Sequence, residues 1–157
     1  MSRLESGDAA PPFEMAADDG SVVSSEGLKG SRYVLYFYPK DDTPGCTAQA
    51  CGLRDSWDRV DATGIEVFGV SPDSVKSHVK FRDKYDLPYR LLSDEGHRIA
   101  DAFGVWVSKS FAGKTYMGVE RTTFVIGADG TIEHVLPQVK PTEHVDQLLD
   151  VLGGVAA

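Results

Sequence analysis

A chain of 157 residues with 41% apolar and 25% charged side chains has enough apolar material for one packed core and lacks the profile of a disordered chain. Its 16 basic and 24 acidic side chains leave a formal net charge of -8, which repels nucleic-acid backbones and anionic lipid. No apolar run approaches the roughly 18 residues of a membrane span, and the first twenty residues lack a signal peptide's apolar stretch of roughly 7 to 15.

The expectation is a soluble, cytoplasmic, single-domain protein over residues 1–157, with no nucleic-acid or membrane partner. Residues 1–20 are rich in Pro, Gly and acids and read as an irregular lead-in that packs through Phe13 and Met15. Tyr33 to Tyr38 is a β-branched and aromatic run bounded by Gly30 and Pro39, the profile of a strand buried on both faces. A polar turn (Lys40, Asp41, Asp42) leads to Thr43 in a capping position and Pro44 at the first residue of a helix. Leu53, Trp57 and Val60 continue at helical spacing until Gly64. Ile65 to Val70 is a second strand. Ser71-Pro72-Asp73 repeats the cap-and-proline signature ahead of a helix carrying Val75, Val79 and Arg82 toward Tyr85. A short strand at Leu91-Leu92 and a helix from about Glu95 to Phe103 follow. After a polar, flexible stretch from Ser108 to Gly118 comes a hairpin of Thr122 to Ile126 with Thr131 to Leu136 around Asp129-Gly130. Val145, Leu148, Leu149 and Leu152 mark a closing helix. This alternation predicts an α/β fold in which a mixed central sheet is flanked by helices on both faces, compatible with a thioredoxin-like fold.

Cys46 falls in the first turn of the helix that follows the buried strand. Free backbone N–H groups and the positive end of the helix dipole converge at such a position and favour a thiolate, the nucleophilic form of cysteine. A thiol of pKa about 8.5 is only about 3% thiolate at neutral pH, whereas one at about 6 is about 90% ionised, a difference of roughly 3.4 kcal/mol. A helix terminus supplies about 0.3 to 2 kcal/mol, so a cation should contribute the rest. Arg121, at the opening of the strand to Ile126, is the best candidate on the assumption that the mixed sheet brings that strand end beside the loop after the central strand.

Cys51 lies five positions after Cys46. Helix geometry sets the two about 140° apart around the axis, with Cα atoms roughly 8.6 Å apart. A disulfide needs about 7 Å or less, so the pair can close only if the helix unwinds, and Gly52 lowers the cost of unwinding. The spacing differs from the Cys-x-x-Cys of dithiol oxidoreductases. His78, His97, His134 and His144 do not pair with the cysteines at zinc-ligand spacings, so surface or helix-end positions and no metal are expected. Trp57 and Trp106 read as core residues, Trp106 preceding the polar stretch from Ser108 to Gly118 that is placed at the mouth of a site.

Pro39, Thr43 and Cys46 form a P-x-x-x-T-x-x-C pattern that resembles the peroxiredoxin signature, inside a longer match from Phe37 to Thr47. The second cysteine five residues on is similar to the bacterioferritin-comigratory, or peroxiredoxin Q, subgroup, and Arg121 with the strand after it resembles that family's arginine-bearing strand. The resemblance runs from about Phe13 to Leu152. It implies a thiol peroxidase acting on hydrogen peroxide and small organic hydroperoxides, without a cofactor. Cys46 would attack the peroxide and become a sulfenic acid, Cys51 would condense with it, and thioredoxin or a similar thiol donor would reduce the disulfide. By the same likeness Thr43 would hydrogen-bond thiolate and peroxide, Arg121 would hold both, Pro39 would shield the site from water, and the protein would be a monomer or weak dimer. Gly127 departs from the family, which often carries Asp there.

Plainer readings stand beside these. Cys46 or Cys51 as a small buried hydrophobe, Thr43 as only a cap, Pro39 as a strand end and Arg121 as a solvated charge each fit their local sequence. At the level of function, a thiol-based redox sensor or relay using the same cysteine pair is the alternative to an enzyme, followed by a non-catalytic binding module with a structural disulfide.

Overall fold

A computed structural model describes residues 3–156, with side chains through residue 152. Nine strands and five helices alternate in these residues. The strand expected at 33–38 is β3 (Tyr33–Phe37), buried at every position because it lies inside the sheet with a strand on each side. It pairs in parallel with β4 (Glu66–Ser71), which in turn pairs in parallel with β5 (Leu91–Ser93). On its other side β3 runs antiparallel to β8 (Thr122–Ile126), and β8 forms the expected hairpin with β9 (Ile132–Leu136).

The mixed sheet has helices on both faces. Side chains alternate across a strand, so Tyr33, Leu35 and Phe37 enter one core with Ile99 and Ala100 of α4 (Arg98–Ala102). Val34 and Tyr36 enter the other, with α1 (Pro44–Asp55), α2 (Trp57–Asp61), α3 (Val75–Tyr85) and α5 (His144–Ala156). No helix among the described residues is long and apolar enough to cross a membrane.

Several local expectations are corrected. Residues 14–17, read as irregular, form β1 (Glu14–Ala17), which joins β5 to the edge strand β2 (Val22–Ser24). Phe13 and Met15 are buried as expected. The helix from Pro44 does not run through to Gly64: it breaks at Ser56, whose N–H turns back to the Gly52 carbonyl at 3.3 Å. The cap of α3 is Ser74, whose hydroxyl accepts from Ser77 N, while Ser71 still belongs to β4. The buried face of α3 carries His78 and Phe81, and Val79 is left 38% exposed. The helix expected over 95–103 shortens to α4 because Asp94 caps it from outside, accepting from Ile99 N at 3.0 Å and Ala100 N at 2.9 Å. The stretch 108–118 is not an irregular loop but most of a separate two-stranded ribbon, β6 (Trp106–Phe111) with β7 (Lys114–Val119). Gly127 leaves room for the Arg32–Glu133 ion pair, since a Cβ there would lie 2.7 Å from Glu133 Oε2.

Candidate active site

The antiparallel register of β3 on β8 pairs Phe37 with Thr122. The end of β3 and the start of β8 therefore share one edge of the sheet. Pro39, half-buried, leaves β3 there, and Arg121 sits one residue before β8. The adjacency assumed from the sequence thus has a specific cause: an antiparallel neighbour begins where the central strand ends.

After the turn at 40–42, Thr43 takes the first cap position of α1 with an extended backbone (φ -96°, ψ 155°), and Pro44 opens the helix. Its carbonyl accepts the first helical bond, from Thr47 N at 2.8 Å. The expected side-chain cap is absent: the Thr43 hydroxyl donates backwards to the Lys40 carbonyl at 2.9 Å, tightening the turn, and no bond joins it to Cys46. Cys46 follows in the first turn, 2% exposed.

The Arg121 guanidinium reaches Cys46. Its Nη1 lies 3.4 Å from Cys46 Sγ and donates to Gln49 Oε1 at 2.6 Å. Gly45 leaves this approach uncrowded, because a Cβ there would stand 3.2 Å from Arg121 Nη2 and 3.4 Å from Pro141 Cγ. The Arg121 backbone is pinned as well, its carbonyl accepting from Val139 N at 2.8 Å. The first turn of a helix and a guanidinium thus converge on the Cys46 sulfur. Gln49 was not singled out from sequence, although its position three residues after Cys46 puts both on one helical face.

Cys51 is half-buried in the same unbroken helix, and both thiols are free. They are therefore placed as the spacing predicts for a helical, reduced form.

The four histidines were expected at the surface or at helix ends; His144 is at a helix end but buried, and His78 is a buried residue within α3. His144 begins α5 and is fully buried, its Nε2 2.8 Å from Thr123 Oγ1 and its ring against that of Tyr36. Burial, and then the positive charge of Arg121, lower its pKa to about 3, so the ring is neutral. His78 is also fully buried, 2.7 Å from Asp41 Oδ2 through Nδ1 and 2.9 Å from the Leu92 carbonyl through Nε2. Sequence held no signal for its pairing, because 37 residues separate it from Asp41. Asp41, Asp73 and His78 bring one potential ligand atom each within 4.8 Å of one another. Those atoms already face hydrogen-bond partners, so the group is a closed polar network. Trp106, half-buried, stacks on His97 with ring centroids 3.8 Å apart. Lys109 from β6 is pushed down in pKa by burial first and then by the charge of Arg121.

The AhpC/TSA family model matches residues 6–135. Over 146 residues the chain is 48% identical to a putative peroxiredoxin bcp of Coxiella burnetii, covering 93% of this chain and 97% of that one. Over 152 residues it is 47% identical to peroxiredoxin Bcp of Escherichia coli strain K12, covering 97% of both. Among solved structures, the bacterioferritin comigratory protein of Xanthomonas campestris, described for its alkyl peroxide reduction activity, superposes with a TM-score of 0.86 at 33% identity over 92% of each chain. The thiol held by an arginine at the end of the central strand and these likenesses along nearly the whole chain lead to one conclusion: the protein belongs to the AhpC/TSA family and is a peroxiredoxin, a thiol peroxidase, of the Bcp or peroxiredoxin Q subgroup.

Proposed function

We propose that the chain reduces hydrogen peroxide and small organic hydroperoxides with Cys46 as nucleophile and Cys51 as the thiol that resolves it. The Cys46 thiolate attacks one peroxide oxygen and the O–O bond breaks. The sulfur becomes a sulfenic acid, and the other oxygen leaves as alkoxide or hydroxide and takes up a proton. Charge grows on that leaving oxygen in the transition state, so a fixed guanidinium beside the sulfur acts where it stabilises most. Cys51 then attacks the sulfenic sulfur, forming the 46–51 disulfide and releasing water. A dithiol donor, thioredoxin or a protein like it, returns both thiols by exchange.

The observation that carries this reading is the contact of Arg121 Nη1 with Cys46 Sγ at 3.4 Å. Helical placement of both cysteines supports a cycle in which α1 must open between the two oxidation steps, because α-helical Cα atoms five residues apart lie roughly 8.6 Å from each other. Thr43 contributes by holding the turn through Lys40 until substrate offers its hydroxyl another partner, and Pro39 by covering the approach from β3.

Steady-state turnover with thioredoxin, its reductase and NADPH tests the reading. Wild type should consume peroxide and Cys46→Ser should not. In Cys51→Ser, Cys46 should still be oxidised in one turnover while cycling with thioredoxin slows by about tenfold or more. Full turnover in Cys46→Ser would falsify the assignment of the nucleophile. Oxidation of both thiols without turnover would favour the sensor or relay role.

A further inference from the structure

Asp41 belongs to the turn that delivers Thr43 and Cys46, yet it is only 8% exposed and its carboxylate collects donors from three directions. Tyr38 OH donates to Oδ1 at 2.6 Å, Ser77 Oγ donates to Oδ2 at 2.8 Å, and His78 Nδ1 faces Oδ2 at 2.7 Å. The Asp41 backbone N–H is fixed too, donating at 2.8 Å to Asp73 Oδ2, which also accepts from Ser71 Oγ at 2.6 Å. The next residue, Asp42, adopts the left-handed conformation (φ 56°), and its carboxylate accepts from Lys84 Nζ and Tyr85 OH, both at 2.7 Å.

Donor accounting for His78 is restrictive. A carbonyl only accepts, so Nε2, facing Leu92 O, carries a hydrogen. A neutral ring with that hydrogen would aim a bare lone pair from Nδ1 at a carboxylate oxygen 2.7 Å away. The Tyr38 hydrogen is committed to Oδ1 and lies too far from Nδ1, at 3.5 Å, to relieve this. A further proton must therefore lie between Nδ1 and Oδ2, joining a fully buried ring on α3 to the active-site turn by a charge-assisted bond.

We propose that the buried Asp41–His78 pair is a positioning device for the peroxidatic cysteine: by sharing a proton it clamps the turn at 40–43 onto α3 and so fixes where α1 begins and where Cys46 points. The proposal rests on Cys46 being the nucleophile. Neither residue touches the thiol. They act through Thr43 and the first turn of α1, and small displacements of a reacting group are costly: about 1 Å can lower a rate by about a hundredfold.

Two measurements test it. In isotope-edited NMR of the histidine rings of the reduced protein near neutral pH, His78 should carry hydrogens on both nitrogens, the Nδ1 hydrogen shifted far downfield. Asp41→Asn should remove that hydrogen, since an amide can donate to a bare Nδ1. In single-turnover oxidation by hydrogen peroxide, Asp41→Ala and His78→Ala should each slow Cys46 by about tenfold or more, with the double variant no slower than the worse single variant to within about threefold. If an alanine variant does not fold, Asp41→Asn and His78→Gln take its place, with smaller losses in the same order. A singly protonated His78 in the wild type, or losses that multiply in the double variant, would overturn the proposal. Activity retained in Cys46→Ser would overturn it together with the assignment of the nucleophile. Wild-type oxidation rates in the variants, with Cys46 essential, would overturn the positioning role alone.

Discussion

At its Cys46 end, α1 is held by directional polar bonds: the guanidinium of Arg121, the amide of Gln49 and the anchored turn at 40–43. Five residues on, at Cys51, the helix is held more by apolar contact, with one short directional bond beyond it, from Arg54 Nη1 to the Tyr85 carbonyl at 2.8 Å. Ala50 and Leu53 are buried against Leu148 and Leu152 of α5, and the one side-chain bond to the backbone before Cys51 is a long one, from Tyr89 OH to the Ala50 carbonyl at 3.3 Å. Gly52 follows Cys51, and the helix breaks at Ser56. Hydrogen bonds fix direction, which a nucleophile attacking an O–O bond requires. Apolar contact is non-directional, so a segment held that way can leave and return without a unique geometry. The contrast fits a reaction whose first step needs a fixed sulfur and whose second needs a mobile one.

The largest expected effect breaks the fixed end. Arg121→Met removes the charge while keeping much of the side chain's length. The rate constant for Cys46 oxidation should fall by about 100- to 1000-fold, as when a preorganised donor is deleted. Arg121→Lys should recover only part of it, because a shorter-reaching, more strongly hydrated ammonium does not reproduce the planar guanidinium whose Nη1 meets both Cys46 and Gln49. Rapid-mixing oxidation kinetics decide the matter, and a loss under about threefold in Arg121→Met would remove the electrostatic half of the contrast.

The scaffold behind the fixed end should show itself through pH. His144 titrates near 3 in the folded chain against 6.5 for the free ring, through burial first and the charge of Arg121 second. Below 6.5 the unfolded chain therefore takes up a proton that the folded chain refuses. The stability tied to this ring is fully present above pH 6.5 and is lost as pH falls toward 3, by about 1.4 kcal/mol per pH unit. Denaturant unfolding at pH 6.5 and 4.5 should differ by about 2 to 3 kcal/mol from this group alone. His144→Gln, which keeps a polar partner for Thr123, should flatten that slope, and an unchanged slope would relocate the effect to other groups.

What sequence revealed divides along similar physical lines. The central strand was legible because Tyr33 to Phe37 is an unbroken apolar run rich in aromatic residues, and the turn before Cys46 because Thr43-Pro44 is a local signal. Arg121 was reachable once the sheet was assumed mixed. The β6–β7 ribbon was not, for two reasons. Its strands are largely exposed, which blurs the period of two, and its turn places Ala112 (φ 53°) and Gly113 (φ 80°) where Asn-Gly is the usual sign. Four residues containing two alanines gave β1 no strand signature either. His78 was misread because nothing local marks a histidine whose partners, Asp41 and Leu92, lie 37 and 14 residues away.

The smallest effect sharpens the mobile end. Gly52 has no left-handed backbone to protect, and a Cβ there would meet only Val145 Cγ1 at 3.9 Å, an ordinary van der Waals contact. Gly52→Ala therefore fits the folded helix without strain and stabilises it by about 0.8 to 1 kcal/mol, chiefly by restricting the unwound chain. If α1 must melt before Cys51 can reach Cys46, that stabilisation is lost on opening, and disulfide formation should slow by about four- to fivefold while the preceding oxidation of Cys46 keeps its rate. Trp57, one turn beyond and packed on Tyr89, offers a fluorescence signal for the second step. An unchanged second step would mean that the Cys51 end opens without melting around Gly52, whereas equal slowing of both steps would mean that the two ends of α1 are not independent.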